Sequence, residues 1–248
     1  MWHALAIEGF RMRLSVPIYQ LKKQAKVQSR QYGVALNKAL DDLAKKEGFA
    51  SWSLLAKRHA NRSPAAIILQ NLSPGDLVLL GARPGHGKTL LGLELIAEAL
   101  KYQAHAAFYS LEYTNSELVE RFAALNVDAG SASSALTLDT SDDICADHVI
   151  KQLSQAPHGT VVVIDYLQLL DQNRAKPALA AQVSTLRSFA RTAGITIVVL
   201  SQIDRLYEPA TKPLPDILDV RLPNPIDLKL FTKTVFINDG KVDLQTTG

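Results

Sequence analysis

The stretch that most narrows what this chain can fold into runs from Leu77 to Leu90. Four apolar residues, Leu77-Val78-Leu79-Leu80, lead into Gly81-Ala82-Arg83-Pro84-Gly85-His86-Gly87-Lys88-Thr89, and an apolar helical pattern begins at Leu90. A short apolar run, a Gly/Pro-rich turn and a helix make the strand, loop and helix of a phosphate cradle. Glycines let successive backbone N–H groups converge on one anion, and the unpaired N–H groups of the helix's first turn point to the same place. Arg83 to Leu90 are therefore the expected phosphate-binding residues, with the Lys88 ammonium reaching the β- and γ-phosphates and the Thr89 hydroxyl placed for Mg²⁺. The strict GxxxxGKT pattern has glycine where this chain has Ala82, a departure of one methyl group, while Gly81, Gly85 and Gly87 keep the backbone permissive.

A length of 248 residues with 47% hydrophobic residues suits one large domain, or one domain with a small appendage. The start, Met1 to Phe10, carries Glu8 within its short apolar run and no basic prelude, so neither a signal peptide nor a membrane span is expected, and a cytoplasmic setting is. Cys145 is the only cysteine, which excludes an internal disulfide and a cysteine-rich zinc site; the six histidines show no metal-ligand spacing. The net charge of +3 hides an asymmetry. Residues 1–62 hold twelve Lys/Arg against four Asp/Glu, whereas residues 63–248 hold fifteen against twenty. The basic character belongs to the N-terminal quarter, where a nucleic-acid or acidic partner and a merely solvated helical face are both open.

The chain divides by pattern into a basic helical module, 1–62, and an α/β domain, 63–248, with His59 to Pro64 as a linker. In the module, Ile18, Leu21 and Ala25 lie three and four apart among Lys22, Lys23, Lys26 and Arg30, which predicts an amphipathic helix from Pro17 onward. A second helix is expected from Val34 to Lys46 with Leu36, Leu40 and Leu43 as its stripe, ended by Gly48, and a third short piece uses Phe49, Trp52, Leu54 and Leu55. Such a module is compatible with a helix-turn-helix reader, without an identifiable recognition helix.

From Ala65 strands and helices alternate, which predicts a mostly parallel sheet covered on both faces. Strands are expected at Leu77 to Leu80, Ala106 to Ser110, Val161 to Ile164 and Ile195 to Leu200, and helices at Thr89 to Tyr102, Ser116 to Leu125, Asp142 to Leu153 and Leu179 to Thr192. A final hairpin is signalled by Thr234 to Ile237, the turn Asn238-Asp239-Gly240, and Lys241 to Leu244.

Ligands of open parallel sheets sit beyond the carboxyl ends of the strands, so polar residues that close apolar strands are the ones to inspect. Val161-Val162-Val163-Ile164 closes in Asp165, the Walker B pattern of a Mg²⁺ carboxylate. Many P-loop ATPases place a water-polarising glutamate at the next position; here it is Tyr166, so the base must come from elsewhere. Glu112, two residues past Ser110, supplies one if its strand lies beside that of Asp165. Gln202 closes the strand ending at Leu200 and is placed to sense a γ-phosphate. The loop from Asp204 to Pro225 is long, with five prolines and with Arg205, Lys212 and Arg221, and long loops in compact domains are usually functional.

Taken together, Ala82 to Thr89, Phe108-Tyr109-Ser110-Leu111-Glu112, Ile164-Asp165-Tyr166-Leu167-Gln168-Leu169 and Leu200-Ser201-Gln202-Ile203-Asp204-Arg205 resemble the ATPase domain of DnaB-type replicative helicases, within the RecA-like group, over about residues 70–240. The resemblance implies a RecA-like P-loop sandwich with ATP and Mg²⁺ as cofactors. It implies Lys88 and Thr89 as phosphate and Mg²⁺ contacts, Asp165 as the Walker B acid, Glu112 as the catalytic glutamate and Gln202 as the γ-phosphate sensor. It also implies a ring or filament of identical subunits whose loops at Asp171 to Pro177 and Asp204 to Pro225 face single-stranded DNA, with Arg174, Lys176, Arg205, Lys212 and Arg221 as candidate phosphate contacts. Residues 1–62 do not resemble the N-terminal domain of those helicases, and Lys241 is the only basic residue after Lys233, where the family carries residues that complete a neighbouring subunit's site. Nucleotide binding is therefore the firmer expectation than unwinding. The alternative is a nucleotide-dependent switch or scaffold with a RecA-like core, engaging a protein partner through the N-terminal helices.

Overall fold

The computed structural model describes residues 18–60, 63–130, 134–171, 176–222 and 224–247. They form two compact units, Met1–Ser63 and Pro64–Gly248.

Among the described residues the first unit is three helices, α1 (Ile18–Tyr32), α2 (Leu36–Lys46) and α3 (Trp52–Ala60). Leu21 of α1 is buried with Ala44, Phe49 and Leu55, and Ala25 with Ala39 and Leu43. Leu36 and Leu54, expected in the apolar stripes, are exposed instead, the buried positions being Ala39, Leu43 and Ala44 on α2 and Leu55 on α3. Gly33 and Gly48 follow α1 and α2 in left-handed backbone, the conformation with which helices commonly end.

The second unit begins one residue inside the expected linker. Pro64 opens a helix, α4 (Pro64–Asn71), as proline favours the first helical position. There follow β1 (Leu77–Ala82), α5 (Lys88–Lys101), β2 (Ala106–Ser110), α6 (Asn115–Ala124), β3 (Leu136–Asp139), α7 (Ala146–Gln152), β4 (Val161–Asp165), α8 (Leu179–Ala193), β5 (Thr196–Gln202), β6 (Lys233–Asn238) and β7 (Lys241–Thr246). The strands form one sheet in the order β3-β2-β4-β5-β1-β6-β7. All neighbours are parallel except the β6–β7 hairpin, whose turn residues Asp239 and Gly240 both have positive φ, as a two-residue hairpin turn requires. The edge strand β3 has no counterpart among the strands expected from pattern, and α7 is shorter than expected because the turn at Asp142 and Asp143 precedes it.

Alternate residues of the sheet feed two cores. Val78, Leu80, Phe108, Val163, Val198 and Val235 pack with α4, α5 and α6; Leu77, Leu79, Tyr109, Ile164, Ile197 and Val199 pack with α7 and α8. With both faces covered, β1, β2 and β4 are buried along their whole length, which is why they read as unbroken apolar runs. Gly81 sits where β1 meets β6: a Cβ there would fall 2.9 Å from the Phe236 ring and 3.0 Å from Ile203. Gly81→Ala is expected to destabilise the protein by about 1–3 kcal/mol by overpacking, read as a lowered urea midpoint with an unchanged m-value.

Candidate functional site

The strand order decides the site. β2 lies next to β4 with Ser110 opposite Asp165, and β5 next to β1 with Gln202 opposite Ala82, so these polar strand ends share one edge of the sheet with the loop of residues 83–87. That loop is held open by left-handed glycines, Gly85 (φ 79°) and Gly87 (φ 84°), where an added Cβ would meet no atom within 4 Å. The first helical hydrogen bond of α5 runs from Leu91 N–H to the Gly87 carbonyl, which leaves the N–H groups of Lys88, Thr89 and Leu90 at the helix mouth. Arg83 and His86 are half-buried, and Pro84 is exposed on the same loop. The His86 ring stands 3.9 Å from the Asp239 carboxylate.

Lys88 is the hub. Its ammonium, on a side chain only 9% exposed, lies 3.2 Å from Asp165 Oδ1, 3.3 Å from Glu112 Oε2 and 4.6 Å from the centre of the Tyr166 ring. The Thr89 hydroxyl donates to Asp165 Oδ2 at 2.9 Å. Burial pushes the Asp165 carboxyl above its ordinary range; Lys88 opposes that rise and Glu112 adds to it. One cation is thus shared between two carboxylates that repel each other. The Glu112 side chain is a third exposed, and its backbone N–H is fixed by the Ser110 hydroxyl at 3.1 Å.

Among the described residues no three His, Cys, Asp or Glu side chains converge as a self-sufficient metal site. A hydroxyl and a carboxylate that touch, at Thr89 and Asp165, are the partial donor set that suits Mg²⁺ shared with substrate phosphates.

Gln168 at this edge has a role that no sequence pattern assigns to it. From the 3₁₀ turn after β4 it donates from Nε2 to Ser201 Oγ (3.1 Å) and to the Arg221 carbonyl (2.6 Å), while its Oε1 lies 3.5 Å from the Gln202 N–H. The segment Asp219–Arg221 runs back beside Gln202–Asp204, with Asp204 N–H to Asp219 O at 2.7 Å and Arg221 N–H to Gln202 O at 2.9 Å. Gln168 therefore clasps both legs of the long loop. Gln168→Ala removes all three side-chain hydrogen bonds and is expected to speed amide exchange across residues 204–221 about fivefold or more.

The candidate nucleic-acid contacts divide. Arg205 and Arg221 are exposed on the long loop, beside the exposed Leu206 and Leu218. Lys212 is held between Asp216 and Asp219, each at 2.6 Å; burial would lower its pKa, but these bonds outweigh that and raise it. Lys176 donates to the carbonyls of Asp142 and Ile144. Lys212 thus braces its own loop, and Lys176 ties its segment to the turn before α7. Arg174 lies outside the described residues. No described helix is long and apolar enough to cross a membrane.

Residues 67–157 and 140–227 match the family model of the DnaB-like helicase C terminal domain. The chain belongs to that family. It is 30% identical over 182 residues to a probable plasmid replicative DNA helicase of Chlamydia trachomatis, covering 60% of this chain and 40% of the relative. It is 27% identical over 210 residues to the replicative DNA helicase DnaB of Helicobacter pylori strain J99, covering 68% and 43%. The chain thus spans about 40% of the length of these two relatives. Among solved structures, a DnaB-like replicative helicase studied with primase is similar with a TM-score of 0.57 at 18% identity, over 88% of this chain and 65% of that one. A solved ATPase domain gives 0.56 at 18%, over 74% and 80%. These likenesses establish the RecA-like α/β fold for the DnaB-like unit.

Proposed function

We propose that the DnaB-like unit binds and hydrolyses ATP and acts on single-stranded DNA as a subunit of a ring or filament. The observation that carries this reading is the meeting of Lys88, Thr89, Glu112 and Asp165 at the mouth of an open, glycine-hinged loop.

Loop amides and Lys88 receive the β- and γ-phosphates, and Thr89 and Asp165 are the residues that would hold Mg²⁺. Bound there, Mg²⁺ supplies charge neutralisation for the transferring phosphoryl group. A γ-phosphate competes with both carboxylates for the Lys88 ammonium. As that ammonium turns to phosphate, Glu112 is freed to accept a proton from the attacking water. Gln202, half-buried at the end of β5, is the candidate γ-phosphate sensor, and Gln168 joins its strand end to the long loop. Phosphoryl transfer depends mainly on positioning and charge, and these are the groups that this chain itself brings to hydrolysis.

Arg205 and Arg221 are the contacts this reading assigns to DNA phosphates on the long loop. Relatives named as replicative DNA helicases support the choice of DNA. The test is the ATPase rate with and without single-stranded DNA at two salt concentrations. Stimulation that fades as salt rises is expected; a rate indifferent to DNA, from a protein that elutes as a monomer, would favour a nucleotide switch instead.

A further inference from the structure

The DnaB-like match begins at residue 67, so it leaves the three-helix unit without a role. Its first helix carries an arrangement that the fold itself does not use. At 3.6 residues per turn, Leu21 and Ala25 lie within about 40° of each other and face α2 and α3, whereas Lys22, Lys26, Arg30 and Lys23 fall within an arc of about 100° beginning beside them and extending to the opposite side. Lys22, Lys26 and Arg30 follow one another at intervals of about 6 Å along the axis. All four side chains are exposed. None forms an ion pair among the described residues.

From Ile18 to Leu40 the sequence has five basic residues and no Asp or Glu. The remaining polar residues of α1 are Gln20, Gln24, Gln28, Ser29 and Gln31, with Tyr19 and Tyr32 near its ends, so the helix has no carboxylate to repel an anion. Only Arg30, in the last turn, complements the helix dipole, and the four-residue spacing of Lys22, Lys26 and Arg30 sets like charges against one another. An amphipathic membrane helix would keep its apolar face open, but here that face is consumed by Ala39, Leu43, Ala44, Phe49 and Leu55. What remains is a straight cationic stripe with no carboxylate on its own helix, a composition that suits a phosphodiester backbone rather than base edges.

We infer that the α1 stripe of Lys22, Lys23, Lys26 and Arg30 is a second nucleic-acid contact, separate from the loops of the DnaB-like unit, that grips a phosphodiester backbone without reading its sequence. The inference does not rest on ATP hydrolysis, and it is tested without nucleotide. Fluorescently labelled duplex and single-stranded DNA of mixed sequence are titrated with the full chain, with Lys22→Gln/Lys26→Gln/Arg30→Gln, and with a charge-matched control, Lys57→Gln/Lys151→Gln/Arg191→Gln. All six substituted residues are exposed, so each variant keeps its packing.

The stripe variant is expected to bind roughly tenfold or more weakly at low salt, with the control near the parent chain. The slope of log K against log salt should fall by about 2.7 on duplex or about 2 on single strands, which tells the two backbones apart. Equal affinities and slopes for the stripe and control variants would overturn the inference. So would a parent chain that ignores both DNAs, or one that binds a polyglutamate peptide through the stripe and no DNA, which would make the partner an acidic protein surface.

Discussion

Glu112→Gln is expected to leave nucleotide affinity within a few-fold of the parent and to slow hydrolysis by about 10²- to 10⁴-fold, the range that a positioned general base contributes. The amide keeps the shape of the side chain and its position beside Lys88, but cannot accept the proton of the attacking water. The carboxylate earns this assignment by position: Ser110 pairs with Asp165 across β2 and β4, and Glu112 follows two residues later with its backbone N–H fixed on Ser110. Tyr166, next to Asp165, holds its ring against Lys88 instead and offers no base. Binding by equilibrium titration and turnover by phosphate release separate the two effects. Normal hydrolysis by the Gln variant would remove Glu112 from the mechanism.

Lys88→Ala acts on the earlier step. It should weaken nucleotide binding more than about a hundredfold, since a charge-assisted contact to phosphate is lost from the loop mouth. The same change leaves Asp165, whose side chain has no exposure, with only the Thr89 hydroxyl among its partners named above. Burial already raises that carboxyl's pKa, so the Ala variant is expected to take up a proton there rather than hold a bare charge. Lys88→Arg keeps the charge but swaps a point donor for a planar fork, and should recover stability better than affinity. The two variants together therefore separate the phosphate contact from the structural ion pair.

How much of the molecule is legible in its sequence follows from the physics of each element. Strands covered on both faces leave unbroken apolar runs, so pattern places β1, β2, β4 and β5 to within one or two residues at their ends. The edge strand β3, Leu-Thr-Leu-Asp, is buried at only one position and leaves no such run. Pro64 looks like a linker residue until it is seen at the first position of α4, where its missing N–H costs nothing. Leu36 lies off the buried face of α2, which is Ala39, Leu43 and Ala44, and on α3 the buried leucine is Leu55 rather than Leu54; periodicity counts leucines and undervalues buried alanines. At the site, residue identity within a loop and at strand ends is enough to nominate Lys88, Thr89, Glu112, Asp165 and Gln202. The clasp by Gln168 joins positions 33 and 53 residues apart, and no local pattern announces it. The engagement of Lys212 is half-visible, since Asp216 stands four residues on; that of Lys176 with two backbone carbonyls is not.

The most direct measurement is a structure of the chain with a non-hydrolysable ATP analogue and Mg²⁺. The triphosphate should lie along Arg83 to Leu90, with the Lys88 ammonium transferred from the two carboxylates to phosphate oxygen and Asp165 and Glu112 facing the terminal phosphate. A nucleotide bound elsewhere, or carboxylates turned away from it, would contradict the assignment of this edge of the sheet as an ATP site.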